Sequence, residues 1–410
     1  MKALRKQLPY FLLPLFFIQL GKHFWPDASL VLGRRIDYLS PTFHLFDGVI
    51  IGFFCLQLPL LWSKGWFKWV ILIFLLTWGF MIVFSQFPQV AFFSGFRWLI
   101  MLFLLTGIVA ARPGLRLLQK TAAVSIIFVT ILALAQFLAQ RALGGWLYWL
   151  GERSYTVASG QVAHLIVSSR LLVRPYGTFS HPNVLGGVLV TLLPWLLFFK
   201  IKTKGEFLLI QAARILTLFG IALSFSRAAW FVGALVIIMF GLQRLRITKK
   251  NLLFALFTVL CLFIIEELSF GWLAQLTELQ NKSVYERQQL AQSALTLISR
   301  QPITGFGFGH FIPLLPTVSR PPFLLQPVHS VYLLAAVEIG LPLTLVLIFY
   351  LFRLLWLLKQ RKSLALFWSL GAILLLGLVD HYFWSTPQPQ ALAVLLIGLA
   401  LAETHSSALQ

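Results

Sequence analysis

Long apolar runs alternate with short polar connections along this chain. The runs lie near residues 8–24, 44–62, 69–86, 94–111, 121–140, 183–199, 207–224, 228–242, 251–266, 328–352, 364–380 and 389–403. With some tilt, each is long enough to cross a hydrocarbon core of about 30 Å as a helix. The expected fold is an all-α polytopic membrane protein of about twelve transmembrane helices, with residues 1–410 forming a single integral domain. No interval between runs would hold a soluble domain of ordinary size.

Three polar segments exceed a simple turn: residues 25–43, 141–182 and 267–327. The last is a large loop between the ninth and tenth runs. Within it, residues 284–298 read as an amphipathic helix lying over the membrane, with Val284, Ala291, Leu295 and Ile298 near one face and Arg287, Gln288 and Gln292 more polar. That helix should stop at Arg300-Gln-Pro302. The following Gly305-Phe-Gly-Phe-Gly309-His lacks the preceding strand and the third spaced glycine of a dinucleotide loop, so it reads as backbone that must turn tightly.

Composition agrees with the pattern: 59% of residues are hydrophobic and 11% charged. The formal charge of +21 is a topology signal. Lys2, Arg5 and Lys6, then Lys64 and Lys68, Arg112, Arg116 and Lys120, Lys200, Lys202 and Lys204, Arg244, Arg246, Lys249 and Lys250, and finally Arg353, Lys359, Arg361 and Lys362 fall on alternate connections. Basic residues are retained in the cytoplasm during insertion, so both termini are expected there and the long polar segments outside. The first run has no small-residue cleavage site and reads as an uncleaved anchor. Basic residues scattered over short loops do not make a nucleic-acid surface. Cys55 and Cys261 both fall in apolar runs, which argues against a disulfide and against a metal-ligand spacing.

The candidate chemistry sits on the expected outer side. Arg174-Pro-Tyr-Gly-Thr-Phe-Ser-His-Pro-Asn183 leads into an apolar run, with Pro182 suited to the first helical turn and Ser180 or His181 to its cap. Ser224-Phe-Ser-Arg227 joins two runs with almost no polar connection. His329 opens the tenth run, with Glu338 further in. Each also has a plainer reading: an ordinary helix start, a headgroup-snorkelling arginine, an interfacial histidine. Arg97 and Arg214 read as such anchors, and Asp380-His-Tyr-Phe-Trp384 as an aromatic interface belt with polar tips.

Four blocks, in order, resemble the O-antigen ligase and O-antigen polymerase superfamily: residues 174–183; Ser226-Arg227-Ala-Ala-Trp; Arg287 with Pro302-Ile-Thr-Gly-Phe-Gly-Phe-Gly-His-Phe311; and His329-Ser-Val-Tyr-Leu with Glu338-Ile-Gly340. The resemblance spans roughly residues 170–345. It implies a GT-C-like glycosyltransferase of the bacterial inner membrane, with neither cofactor nor metal, that moves a glycan from an undecaprenyl-diphosphate carrier to a hydroxyl of a glycan, lipid or protein acceptor. It makes Arg174, Arg227 and Arg287 the diphosphate ligands and His329 the group that orients or deprotonates the acceptor. His181, Asn183 and Tyr332 become further substrate contacts. Ser330 stands where members of the family often carry Asn. Apart from that resemblance, the same spans and charges suit a lipid-carrier flippase or solute transporter without covalent chemistry, or a non-catalytic scaffold of an envelope assembly complex.

Overall fold

The computed structural model describes residues 2–159, 162–167, 170–245, 277–321 and 323–404. The expected ninth run at 251–266, with Cys261, and the first part of the large loop at 267–276 lie outside the described residues.

The first eight helices are α1 (Lys2–Leu15), α2 (Leu45–Trp62), α3 (Gly65–Val83), α4 (Pro88–Ala111), α5 (Leu115–Ala139), α6 (Pro182–Leu197), α7 (Lys204–Leu223) and α8 (Arg227–Leu245). After the undescribed stretch come α9 (Thr277–Arg300), α10 (Phe311–Val318), α11 (Val331–Gln360), α12 (Leu364–Gly377), α13 (Tyr382–Ser385) and α14 (Pro387–Thr404). Among the described residues six helices (α2, α3, α4, α5, α7 and α11) are long and apolar enough to cross a membrane, and α6, most of α8 and α12 are shorter apolar helices. The protein is thus a mostly helical, polytopic membrane protein.

It is not purely helical. Among the described residues, three two-stranded antiparallel pairs occupy the long connections: β1 (Gly21–His23) with β4 (Thr42–His44), β2 (Leu30–Val31) with β3 (Arg34–Arg35), and β5 (His164–Val167) with β6 (Arg170–Val173). Connections beyond the helices must still pair their backbone polar groups, and short hairpins do so locally. The first run is also cut short. Its helix ends at Leu15, just after Pro14 removes a donor, and Gly21 is already paired with His44.

α6 is buried on every side along nearly its whole length, as an apolar helix without a polar face should be. It packs chiefly against α5, α7, α8 and α12, within a core that also takes in residues of α1, α2, α4, α11 and α14. A buried helix end needs partners for its last carbonyls. Gln119 donates to Trp195 O at 3.0 Å, and Arg214 donates to Leu196 O at 2.8 Å and Leu197 O at 3.2 Å. Arg214 therefore caps α6 and is not a lipid anchor. At the same end of the bundle, Glu206 takes Arg116 at 2.5 Å and Lys120 at 2.6 Å, an ion cluster that ties α5 to the start of α7.

A second core gathers at the opposite end. It joins Val31, Ile36 and Leu39 of the first long connection to Leu290, Ala294, Leu297 and Ile298 of α9, to α10, to the first part of α11 and to Trp384. The buried face of α9 thus differs from the expected one: Leu295 is 56% exposed, Ala291 is only partly buried, and the Val284 side chain lies outside the described residues. The stripe is set by where α11 and α10 lie, and Leu290, Ala294 and Leu297 share that side at helical spacing.

Candidate active site

The glycine cluster fixes the site's frame. Gly305, Gly307 and Gly309 all have positive φ, at 64°, 106° and 77°. Their loop threads into a break in α11 at Gly340, where φ is 79° and ψ 162°. Phe306 N donates to Val337 O at 2.8 Å, Gly307 N to Glu338 O at 2.9 Å, and Leu341 N to Pro302 O at 2.8 Å. Backbone groups that the kink strips of helical partners are therefore taken up by the loop. A Cβ on Gly305 or Gly340 would collide with the backbone opposite. His310 anchors the loop's far side, sharing a hydrogen bond between Nε2 and Ser85 Oγ. The tight backbone turn expected from sequence is what the structure has, with a helix kink as its partner.

That kink sets the direction of residues 331–339 and the histidine before them. Ser330 caps α11, accepting from Leu333 N at 3.4 Å. Asn would serve equally as a cap, so the Ser330 departure leaves the helix start intact. His329 directly precedes the cap. Glu338, on the same stretch, accepts from Trp384 Nε1 at 2.8 Å and so ties α11 to α13.

Between α12 and α13 the chain carries Asp380 and His381, and this segment is not an interface belt. Asp380, His381, Tyr382, Phe383 and Trp384 are all buried. The aromatic residues that suggested a rim instead pack inward, with Trp384 against Trp98 at 4.5 Å between ring centroids. Asp380 lies at the centre of the polar groups. Its Oδ1 is 3.8 Å from His329 Nδ1 and 4.0 Å from a ring nitrogen of His381, and it accepts from His381 N at 2.8 Å. The His329 and His381 rings meet edge to face at 5.3 Å.

The other Asp380 oxygen leads to the first arginine. Asn183 Nδ2 donates to Asp380 Oδ2 at 3.3 Å, while Arg174 Nη2 donates to Asn183 Oδ1 at 2.7 Å. Arg174 also donates through Nε and Nη2 to Ser224 O at 3.1 and 2.7 Å. None of these bonds goes to a carboxylate, so this half-buried guanidinium is solvated by neutral oxygens and keeps its charge available to an anion. Arg174, Asn183, Asp380 and His329 thus form one chain of polar contacts drawn from three separate connections.

Arg227 begins α8 three residues beyond Ser224 and is exposed. Its charge acts on Arg174, whose own pKa is brought down to about 10 chiefly by burial, with Arg227 adding to the effect. Arg287 is exposed on α9, and its charge acts on His381. Of the three expected arginines, Arg174 touches this network directly through Asn183, Arg227 and Arg287 are exposed, and none of the three is among the residues lining the adjacent cavity.

Electrostatics separates the titratable groups. Burial alone would raise the Asp380 pKa, but the neighbouring His329 and His381 imidazoles, when charged, prevail and hold it well below the usual carboxylate range. Burial pushes His381 down to about 4, against the pull of Asp380. Burial and then Arg174 push His181 down to about 3. Both rings are thus neutral near pH 7. His181 takes its expected place as the α6 cap, accepting from Asn183 N at 3.1 Å.

These groups border a cavity of about 1960 Å³, lined by His181, Asn183, His329, Asp380 and His381 and, across from them, by the first long connection. Small-molecule pockets measure roughly 300–1,000 Å³, so this space suits something larger. Tyr38 reaches over from that connection to touch the His381 ring at 5.5 Å. Arg97 also lines the cavity and is no lipid anchor: it pairs with Asp47, and donates to Gln390 Oε1 at 3.3 Å and Pro387 O at 3.3 Å. Tyr332 is not among the lining residues, because its hydroxyl donates to Leu374 O on α12 at 2.7 Å.

From the sequence, Asp380 and His381 read as polar tips of an interface belt, and whether either joins the site was left open. The signal was the pair's position, directly after an apolar run that ends on the His329 side of the bundle. Among the described residues, His329, Asp380 and His381 also form a group whose ligand atoms lie within 4.8 Å of one another.

Residues 212–349, from within α7 to within α11, match the family model described as O-antigen ligase. No curated protein matches the chain.

Proposed function

We propose, from the place of residues 212–349 in the O-antigen ligase and polymerase superfamily, that this protein moves a glycan from an undecaprenyl-diphosphate carrier to an acceptor hydroxyl. The transfer takes place at the outer face of a bacterial inner membrane and uses no metal. The observation that carries this reading is the continuous path Arg174–Asn183–Asp380–His329 beside a large cavity.

The chemistry assigns each group a task. The acceptor hydroxyl oxygen forms a bond to the anomeric carbon as the carbon–oxygen bond to the diphosphate breaks. The electron pair leaves with the diphosphate, and the hydroxyl proton goes to the free ring nitrogen of His329. Guanidinium groups meet the developing phosphate charge through forked hydrogen bonds: Arg174 beside Asn183, Arg227 at the start of α8 and Arg287 on α9. Asp380 faces Nδ1 of His329, which keeps that nitrogen's proton in place and turns Nε2 toward the acceptor. At 3.8 Å the pair is looser than a hydrogen bond, and substrate binding is expected to tighten it. Asp380 acts on the imidazole and so positions it, while His329 is the catalytic residue. Asn183 holds donor side and acceptor side in register.

The test is transfer by the purified protein, with an undecaprenyl-diphosphate glycan and a panel of acceptors. Transfer should persist in the presence of chelator and vanish with His329→Ala while donor binding remains. Loss of transfer on chelation alone would sink the metal-free mechanism. Flux of carrier across proteoliposomes without release of free carrier diphosphate would replace transfer by transport.

A further inference from the structure

Most of the polar network has a role in the proposed transfer, but His381 does not. It is buried, its ring touches His329, and it faces the same carboxylate. Its two ring nitrogens face different groups. Ser385 Oγ lies 2.6 Å from His381 Nδ1 and 3.2 Å from His381 O, so the hydroxyl engages Nδ1. The other nitrogen, Nε2, lies 4.0 Å from Asp380 Oδ1 and carries the lone pair in the tautomer that holds its proton on Nδ1.

His329 presents a matching feature from the other side. Its Nδ1 is shut off from solvent and has no hydrogen-bond partner among the described residues, although it lies 3.8 Å from the same oxygen. Two imidazole nitrogens and one carboxylate oxygen thus border one small space, all within 4.8 Å of one another. Three such donors around a point are the ligand set of an open zinc site, with the adjacent cavity able to supply water as the fourth ligand. The Ser385 contact is the outer partner that a ligating histidine needs to fix its tautomer. Tetrahedral zinc with bonds of about 2.0–2.1 Å needs ligand atoms about 3.3 Å apart, so the three groups must close by about an ångström.

We propose that His329, Asp380 and His381 form an inhibitory site for Zn²⁺ or a similar borderline transition-metal ion. The inhibitory part rests on the assignment of His329 as the base of the transfer; binding itself does not. Once Nδ1 of His329 carries the metal, a neutral imidazole keeps its proton on Nε2. The nitrogen that would take the acceptor's proton is then already protonated. Metal and acceptor proton compete for one imidazole from its two sides, and the ion also withdraws Asp380 from its positioning role. Arg174 and Arg287 oppose a second positive charge here, so a transition metal with nitrogen preference is favoured over Mg²⁺ or Ca²⁺.

The test uses the purified full-length chain with any affinity tag removed. Co²⁺ titration should give the intense visible absorption of a four-coordinate site at one ion per chain, lost when excess Zn²⁺ is added. His381→Ala and Asp380→Asn should each weaken binding by roughly tenfold or more, and Ser385→Ala by less. No stoichiometric binding by the wild type, or unchanged affinity in both ligand variants, overturns the site. Should those variants not fold, X-ray absorption at the zinc edge of the wild type decides. Two imidazoles with oxygen support the site, and sulfur or fewer than two imidazoles overturn it. In a transfer assay, Zn²⁺ should inhibit and chelator should restore activity. Bound Zn²⁺ that leaves transfer unchanged or raises it overturns inhibition, whereas a zinc-free wild type that binds zinc yet never transfers overturns the glycosyltransferase reading alone.

Discussion

His329 Nδ1 stands 3.8 Å from Asp380 Oδ1, and the two residues reach each other from opposite ends of α11 and α12. A carboxylate in that position sets the tautomer of an imidazole without contacting substrate. Asp380→Asn keeps the shape but offers Nδ1 an amide in place of a charge. It should lower kcat by roughly 100-fold or more while donor KM changes little. Steady-state transfer kinetics checks this, and a rise in donor KM with kcat intact would assign Asp380 to donor binding instead.

Arg174 makes three bonds to two acceptors, forking two to Ser224 O and sending one to Asn183. A lysine preserves the charge but not the planar fork. Arg174→Lys should therefore lose most of the transfer rate, about tenfold to a hundredfold, whereas Arg227→Lys, at an exposed position, should lose less. Comparing kcat/KM for donor in the two variants separates a geometric requirement from a requirement for charge alone.

Stability should fall on mild acidification. His381 is held near pKa 4 in the folded protein against an ordinary value of 6.5. Below about pH 6.5 the unfolded chain takes up a proton that the folded chain refuses, so folding loses free energy as pH drops toward 4. The loss from His381 is on the order of 3 kcal/mol at about 1.4 kcal/mol per pKa unit. His181 adds to the same trend, continuing to about pH 3. Asp380, with a lowered pKa, contributes stability that is present above pH 4 and lost only further down. Melting temperature in detergent from pH 7.5 to 4.5 should decline for the wild type and decline less for His381→Gln.

Gly340 and Gly305 back onto each other in the kink of α11. Alanine at Gly340 meets both a left-handed backbone angle and the Ile303 carbonyl. It should destabilise the protein by about 2–4 kcal/mol and shift His329 with it. A drop in melting temperature accompanied by lost transfer is expected. An alanine variant as stable and active as the wild type would show that the kink does not hold the histidine.

The sequence by itself determined the helices that pack against one another or against lipid, because runs of apolar side chains must leave water whatever the topology. It singled out Arg174, Arg227, Arg287 and His329 only through the resemblance of four ordered blocks, since a charged group beside an apolar run reads by itself as a headgroup anchor or helix cap. The glycine spacing announced a tight turn, because positive φ excludes most other residues. What that turn fits against was not legible: the unpaired carbonyls of Val337 and Glu338 arise only when α11 breaks. The same holds for α9, whose buried stripe depends on its neighbours. Tertiary structure alone decided that Asp380 meets His329 and Arg97 meets Asp47. A buried charge is tolerated only beside a partner, and the partner's distance along the chain carries no trace of that proximity. The run from Asp380 to Trp384 looks like an interface belt in one dimension; in three, packing of α12, α13 and α14 turns the same aromatic residues inward and makes their acidic neighbour the hub of the site.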